Sequence, residues 1–358
     1  MVDISVARCP EGHEMYFGSD DLLRVRDLSI YMSTPTGEVQ IVDGVNLQVA
    51  SGAALGLIGE SGSGKSLTAM AILRLLPAAA RVEGEILFRG VDILKLRSEE
   101  LKAIRGSQIS MIFQEPMTAL DPVFTVGYQL SATLRAHHDV SRRVARTRSI
   151  EMLQSVGIPD PTRRFDAYAH ELSGGMRQRV MIAMALIAEP ELLIADEPTT
   201  AVDITIQAQL LALLAQLSAE RGTAIILISH DIAVVAELCS EVSVMYAGQI
   251  VESTTTDTIL VSPAHPYTSG LVRAAPRMEN SGTRLEGIPG RVPMPAEYPA
   301  GCRFQARCAH AMTHCGEPQP LVGHIAFQPQ RHSVRCCRHG ELDLPGVVVA
   351  DPEAVRSP

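Results

Sequence analysis

The sequence predicts an α/β fold: a mostly parallel sheet wrapped by helices, with an antiparallel β subdomain ahead of it, an inserted helical subdomain and a small cysteine-rich module at the end. Three observations predict it. The stretch Gly59-Glu60-Ser61-Gly62-Ser63-Gly64-Lys65-Ser66 fits G-x-x-x-x-G-K-[ST], with an apolar run, Ala53–Ile58, before it and a helical pattern, Ser66–Leu76, after it. Further on, aliphatic runs alternate with helical stretches, as in a parallel sheet whose crossovers are helices. Five of the seven cysteines fall between residues 302 and 337.

The elements follow in order. Residues 1–20 read as a loose tail. From Leu22 to Val49 apolar residues alternate with polar ones about a Thr34-Pro35-Thr36-Gly37 turn, which predicts paired antiparallel strands. Tyr31 ends the first of them, and is either a stacking platform for a flat ring or an ordinary strand tyrosine. On the helix after the glycine-rich loop, Leu67, Met70, Ala71 and Leu75 share a face. Gly84–Leu87 is a short strand, Ser98–Arg105 a charged helix, and Ile109–Phe113 a buried strand ending at Gln114. Residues 115–189 are helical, with Val126–His137, Ser141–Val156 and Gly175–Ala188 as the helices. Arg142, Arg143, Arg146 and Arg148 form a solvated face there. Glu191–Ala195 is a buried strand running into Asp196-Glu197-Pro198, Ile204–Ala219 an amphipathic helix, and Ala224–Ile228 a strand ending at Ser229-His230-Asp231. A helix (Ile232–Cys239) and two strands (Val242–Tyr246, Gln249–Glu252) complete a domain over 21–260. An extension over 261–343 opens with a proline-rich connector (276–299) and holds the cysteines; 344–358 has no periodicity and reads as a flexible tail.

Composition bounds the function. The 358 residues leave room for two or three domains, and the net charge of -9 argues against a general nucleic-acid binder. No stretch approaches the ~18 apolar residues of a membrane span, and the charged first 21 residues are no signal peptide. A cytoplasmic protein able to dock on a membrane partner is expected.

The residue types at the motifs point to phosphate chemistry. Gly59, Gly62 and Gly64 let backbone N–H groups, including those of Ser61 and Ser63, converge on phosphate oxygens. Lys65 adds a point charge, and the Ser66 hydroxyl can ligate Mg²⁺. Asp196, at the end of an aliphatic strand, is suited to hold Mg²⁺ opposite Ser66, leaving Glu197 to orient or deprotonate a water. Ser173-Gly174-Gly175 open a helix and make a second anion site. One nucleotide cannot sit at two distant helix N-termini of one chain, so two chains head to tail are expected, each completing the other's site.

Gly59–Ser66, Gln114, Leu172–Arg179, Asp196-Glu197, Asp203 and His230, in this order, resemble the ATP-binding subunit of an ABC transporter over residues 22 to about 255. The resemblance implies a sandwich dimer with two ATP molecules at its interface. On that basis Tyr31 stacks on adenine, Gln114 touches Mg²⁺ and senses the membrane subunit, Ser173 and Gly175 meet the partner's γ-phosphate, Asp203 crosses the interface, and His230 caps the γ-phosphate. A finer resemblance is to the oligopeptide/dipeptide (and nickel) importers. It rests on Met111–Pro122, on Glu197–Gln209, on His265-Pro266-Tyr267-Thr268, and on the cysteines with His332-Ser333-Val334-Arg335-Cys336. It implies ATP-driven peptide import at the cytoplasmic face of the membrane. The partners implied are a related second ATP-binding subunit, two transmembrane permease subunits and, indirectly, an extracytoplasmic substrate-binding protein. Import of a solute such as nickel, or a soluble ABC ATPase outside transport, are the alternatives. Val202, Ala169 and Glu252-Ser253-Thr254 depart from the family pattern, away from the phosphate-contacting positions. The apolar stretch Met117–Tyr128 suits a groove for a short helix of the membrane subunit, with Met111 left to the core.

Cys302, Cys308, Cys315 and Cys336 are four thiols in one segment, but their gaps are wider than the Cys-x2-4-Cys pairs of zinc knuckles. The resemblance implies a [4Fe–4S] cluster on these four; zinc and a metal-free module stay open, and Cys337 leaves the fourth ligand ambiguous. Arg303 and Arg307 are expected to offset the cluster's charge, and His310, His314, His332 and His339 to support it or lie on the surface.

Overall fold

The computed structural model describes residues 5–8, 14–17, 21–35, 37–114, 120–199, 204–275, 287–323 and 332–346. β1 (Ser5–Arg8) and β2 (Glu14–Phe17) pair antiparallel within the expected N-terminal tail. β3 (Asp21–Thr34) and β4 (Gly37–Ala50) form the long hairpin, joined by β6 (Ala80–Phe88) and β7 (Val91–Asp92) into a four-stranded antiparallel sheet. β6 is twice the expected length, because Ala80–Glu83 alternate exposed and half-buried along the hairpin's edge and carry no apolar run.

The second sheet has eight strands. Its parallel heart is β11 (Glu241–Tyr246), β5 (Ala54–Ile58), β10 (Ala224–Ser229), β9 (Leu192–Asp196) and β8 (Ile109–Ile112), in that order. These strands read as continuous apolar runs because both faces are covered. Leu192, Ile194, Ile226 and Ile228 face a core shared with the antiparallel sheet and helix α1 (Lys65–Ile72). Leu193, Ala195, Ile225 and Leu227 face the other core, shared with the helical subdomain and the extension.

Helices α3 (Val126–His137), α4 (Arg142–Ser155), α5 (Pro161–Phe165) and α6 (Gly174–Leu186) follow α2 (Ser98–Ile104), with α7 (Ile204–Arg221) and α8 (Ile232–Leu238) on the sheet. The sequence missed α5, which starts at a proline after Asp160 in left-handed conformation. Of the residues expected to share a face of α1, Ala71 is buried but Leu75 lies past the helix end. Thr68, Ala69, Ala71 and Ile72 are buried whereas Leu75 is 38% exposed, because the helix stops before Arg74, whose φ is +50°.

The extension is stitched into the same sheet. β12 (Gln249–Thr255), antiparallel to β11, continues through β14 (Ser333–Val334) to β13 (Val322–Gly323). Helices α9 (Thr256–Val261) and α10 (Pro266–Ala274) lead into it. The tail is docked at its start: Leu344 is buried, and Ser269 Oγ donates to the Pro345 carbonyl at 2.7 Å. Among the described residues no helix is long and apolar enough to cross a membrane.

Candidate active site

The C-terminal ends of four adjacent parallel strands deliver the chemistry: β5 feeds the Gly59–Gly64 loop, β10 feeds His230, β9 feeds Asp196 and Glu197, and β8 feeds Gln114. Ligands of open α/β sheets gather at this edge. The loop's shape needs glycine. A Cβ on Gly59 would lie 2.1 Å from the Met245 carbonyl oxygen, and Gly62 and Gly64 take positive φ. Lys65 is buried, and its ammonium donates to the carbonyls of Gly59 (2.7 Å) and Glu60 (3.0 Å) and to Ser63 Oγ (3.5 Å). Burial pushes its pKa down, against the pull of Glu197, Asp196 and Glu60.

Asp196 is buried, which pushes its carboxyl up, while the Ser66 hydroxyl that hydrogen-bonds to it and Lys65 pull it back. Its Oδ1 is buried with no hydrogen-bond partner among the described residues. An orphaned buried carboxylate oxygen with the Ser66 hydroxyl close by makes an all-oxygen site that fits Mg²⁺. Glu197 sits at φ +47°, a strained conformation for a residue with a side chain, and its N–H donates to the Ile228 carbonyl at 3.0 Å. One of its oxygens, Oε2, accepts from Gln114 Nε2 at 3.2 Å and lies 3.5 Å from His230 Nδ1. Three residues expected to act at the γ-phosphate thus meet on one oxygen.

The other candidates lie apart from this edge. Ser173 caps α6, its hydroxyl accepting from Met176 N–H at 3.3 Å; Ser173 and Gly174 are exposed, and a Cβ on Gly174 would meet open space. Tyr31 lies in the antiparallel sheet with the Arg81 guanidinium 4.0 Å over its ring. Asp203 and Met117 lie outside the described residues. Met111 is partly buried against the core, as expected. On either side of Gln114 the surface carries exposed apolar residues: Phe113 before it and Val123 (71% exposed), Phe124 and Tyr128 after it, the last two stacked at 4.6 Å.

Cys302, Cys308, Cys315, Cys336 and Cys337 all line one recess, beside His265. Cys315 Sγ is 3.7 Å from Cys337 Sγ, which puts Cys337, the alternative to Cys336 as fourth ligand, beside an expected ligand. Burial pushes the thiol of Cys302 up to about 11 and that of Cys336 up to about 12. Among the described residues no three His, Cys, Asp or Glu side chains are grouped as a metal ion needs. Arg303 and Arg307 do not serve the cysteines as expected. Arg303 pairs with Asp43 and donates to the Ala247 carbonyl (2.6 Å); Arg307 pairs with Glu60. His332 is not peripheral either: it is buried, 2.8 Å from Glu252.

Residues 42–200 match the family model described as ABC transporter, and 251–315 match the one described as oligopeptide/dipeptide transporter, C-terminal region. The chain is 49% identical over 319 residues to the oligopeptide transport ATP-binding protein OppD of Escherichia coli, covering 89% of this chain and 93% of that one. The chain belongs to the ABC transporter family. It is 46% identical over 305 residues to the dipeptide transport ATP-binding protein DppD of Haemophilus influenzae, covering 85% of this chain and 92% of that one. Among solved structures, a dimeric ATP-binding cassette in a post-hydrolysis state with ADP and Pi matches at TM-score 0.59 and 26% identity, covering 65% of this chain and 98% of that one. As a member of the ABC family the chain is an ATPase on a P-loop α/β fold, with ATP and Mg²⁺ as its cofactors.

Sequence reasoning missed Tyr267, Glu60 and Glu252 as parts of this architecture. His265-Pro266-Tyr267-Thr268 stood out only as a resemblance, and Glu252 only as a departure from the family pattern. The sequence offered little signal for Glu252, because β12 (Gln249–Thr255) is mostly polar and a glutamate in such a strand reads as solvent-facing.

Proposed function

We propose that this ABC subunit hydrolyses ATP to energise import of oligopeptides or dipeptides through membrane permease subunits. The observation that carries the ATPase site is the meeting of Gln114 and His230 on Glu197 Oε2, next to an orphaned Asp196 oxygen and a buried Lys65. Lys65 and the loop N–H groups hold the β- and γ-phosphates; Asp196 and Ser66 hold Mg²⁺, with Gln114 beside it. Mg²⁺ neutralises phosphate charge when bound. Glu197 takes the proton of the attacking water, and His230 orients that water against the γ-phosphate. Tyr31 offers adenine the ring face that Arg81 does not cover. A second, related subunit lies head to tail, so that Ser173, Gly174 and Gly175 of each chain reach the nucleotide of the other and Asp203 crosses between them. The exposed helix start at Ser173 supports this.

Phe113, Val123, Phe124 and Tyr128 receive the permease at the cytoplasmic face of the membrane, and an extracytoplasmic binding protein selects the peptide. The likeness to OppD and DppD supports peptides over other solutes. The cysteine recess takes a [4Fe–4S] cluster. Five cysteines lining one recess, at gaps wider than the Cys-x2-4-Cys pairs of zinc knuckles, support this reading. Either Cys336 or Cys337 is the fourth ligand.

Reconstitution with the permease subunits tests the function. Glu197→Gln should lower peptide-coupled kcat ~10²- to 10⁴-fold, the range of general-base catalysis, while ATP still binds. Normal turnover in that variant removes Glu197 from its role. Iron and acid-labile sulfide in anaerobically purified protein test the cluster; stoichiometric zinc without iron excludes it.

A further inference from the structure

The phosphate loop is held from behind by the extension, through its second residue. Glu60 makes three contacts that lock it. Its N–H donates to the hydroxyl of Tyr267 at 2.8 Å. Its carboxylate accepts from Arg307 Nη1 at 3.0 and 3.1 Å. Its carbonyl accepts from the Lys65 ammonium at 3.0 Å. The two outer partners are themselves fixed. Tyr267 is fully buried, 4.6 Å from the Tyr246 ring and 5.4 Å from Phe304 between centroids. Arg307 is anchored by the Pro289 carbonyl (2.7 Å), the Ile288 carbonyl (3.4 Å) and the Tyr246 hydroxyl (3.3 Å).

We propose that Tyr267 and Arg307 are positioning residues for ATP: through Glu60 they hold the phosphate loop in its nucleotide-ready shape, so that the extension sets nucleotide affinity. This rests on the reading that the Gly59–Ser66 loop holds the phosphates. The physical basis is preorganisation. A loop with three glycines loses much backbone freedom when it wraps a phosphate, at ~1–2 kcal/mol per residue ordered. A loop ordered in advance loses less, and binds more tightly. Glu60 also presents the carbonyl that parks Lys65, so a shift of Glu60 moves the loop and its charge together. Neither Tyr267 nor Arg307 touches Gln114, Glu197 or His230, so the chemical step is untouched.

The test is ADP binding to the full-length chain with Mg²⁺, together with ATPase kinetics of the assembled transporter. Tyr267→Phe removes one hydroxyl and keeps the packed ring; it should raise the ADP Kd and the KM for ATP about 2- to 10-fold, the range of one lost hydrogen bond, with kcat within twofold. Arg307→Met should raise both about 10-fold, since an ionic bond is lost at a carboxylate that is only partly exposed. Glu60→Gln should reproduce part of that rise, and adding Arg307→Met to it should raise Kd by less than the product of the two single effects. Unchanged Kd and KM in Tyr267→Phe and Arg307→Met, with only a lower unfolding midpoint, would reduce both residues to packing and overturn the proposal. A fall in kcat at unchanged KM overturns it too. Lys65→Ala separates this from the underlying reading. Lost ADP binding there keeps the loop as the phosphate site, whereas binding equal to the unsubstituted chain refutes the site itself.

Discussion

Glu252 offers the sharpest test of how the extension is joined to the core. Its carboxylate is fully buried in β12 and accepts three hydrogen bonds: Ala264 N–H at 2.7 Å, His265 N–H at 2.8 Å and His332 Nε2 at 2.8 Å. Glu252→Ala withdraws the acceptor from two buried backbone donors and an imidazole. A buried donor left without its acceptor costs ~1–3 kcal/mol, so the two N–H groups with the imidazole should together cost ~3–9 kcal/mol, a large part of a typical domain's stability. Glu252→Gln keeps one oxygen. The favoured orientation keeps it on Ala264 and His332, which share Oε1, and turns the amide NH2 against His265 N–H. The cost should then be ~1–3 kcal/mol. Urea unfolding of the full chain by circular dichroism measures the totals, and amide exchange at Ala264 and His265 shows whether the loss is local. A cost under ~1 kcal/mol for Glu252→Ala, or equal costs for both variants, would refute the reasoning.

Three more expectations can be checked. Burial pushes His265 from its ordinary 6.5 down to about 4, so the folded state resists protonating it. The stability this confers is whole above pH 6.5 and is lost as pH falls toward 4. About 2 kcal/mol should be gone at pH 5, and His265→Asn should flatten that part of a stability–pH curve. Gly248→Ala would put a Cβ 2.0 Å from the Ile41 carbonyl oxygen at φ +86° and disturb the Gly248 N–H to Ser63 carbonyl bond of 2.9 Å behind the phosphate loop; calorimetry should show a lower midpoint and weaker ADP binding. Phe124→Asp with Tyr128→Asp should abolish co-purification with the permease subunits, by removing two aromatic anchors of at least ~1 kcal/mol each, and leave ADP binding intact.

The parallel strands and the phosphate loop were legible because they are local. An apolar run of five or six residues, punctuated by glycine or by two acids, can be little else, and β5, β9 and β10 came out within a residue or two of their bounds. What failed was non-local. β14 has two residues, too few for any periodicity, yet it ties the extension to the sheet. Arg303 and Arg307 flank Cys302 and Cys308 in the chain, which suggested a role at the thiols; folding instead carries their guanidinium groups to Asp43 and Glu60, partners 260 and 247 residues away. α1 was drawn too long because Leu75 completes the helical apolar pattern, whereas Arg74 has already left helical conformation. The acid–amide–imidazole meeting at Glu197 was foreseen only as a set of roles, since its geometry depends on β8, β9 and β10 being neighbours.

The ladder from β12 to β14 has a practical consequence for anyone seeking a minimal ATPase from this chain. Ending the polypeptide near Ser262, just past α9, would uncover the peptide groups of β12 at the margin of the sheet and strand a carboxylate in its interior. Bare strand margins recruit other chains, so such a fragment is expected to precipitate. A version that keeps β14, the buried Leu344 and the Ser269 bond to the Pro345 carbonyl has to run at least through Pro345.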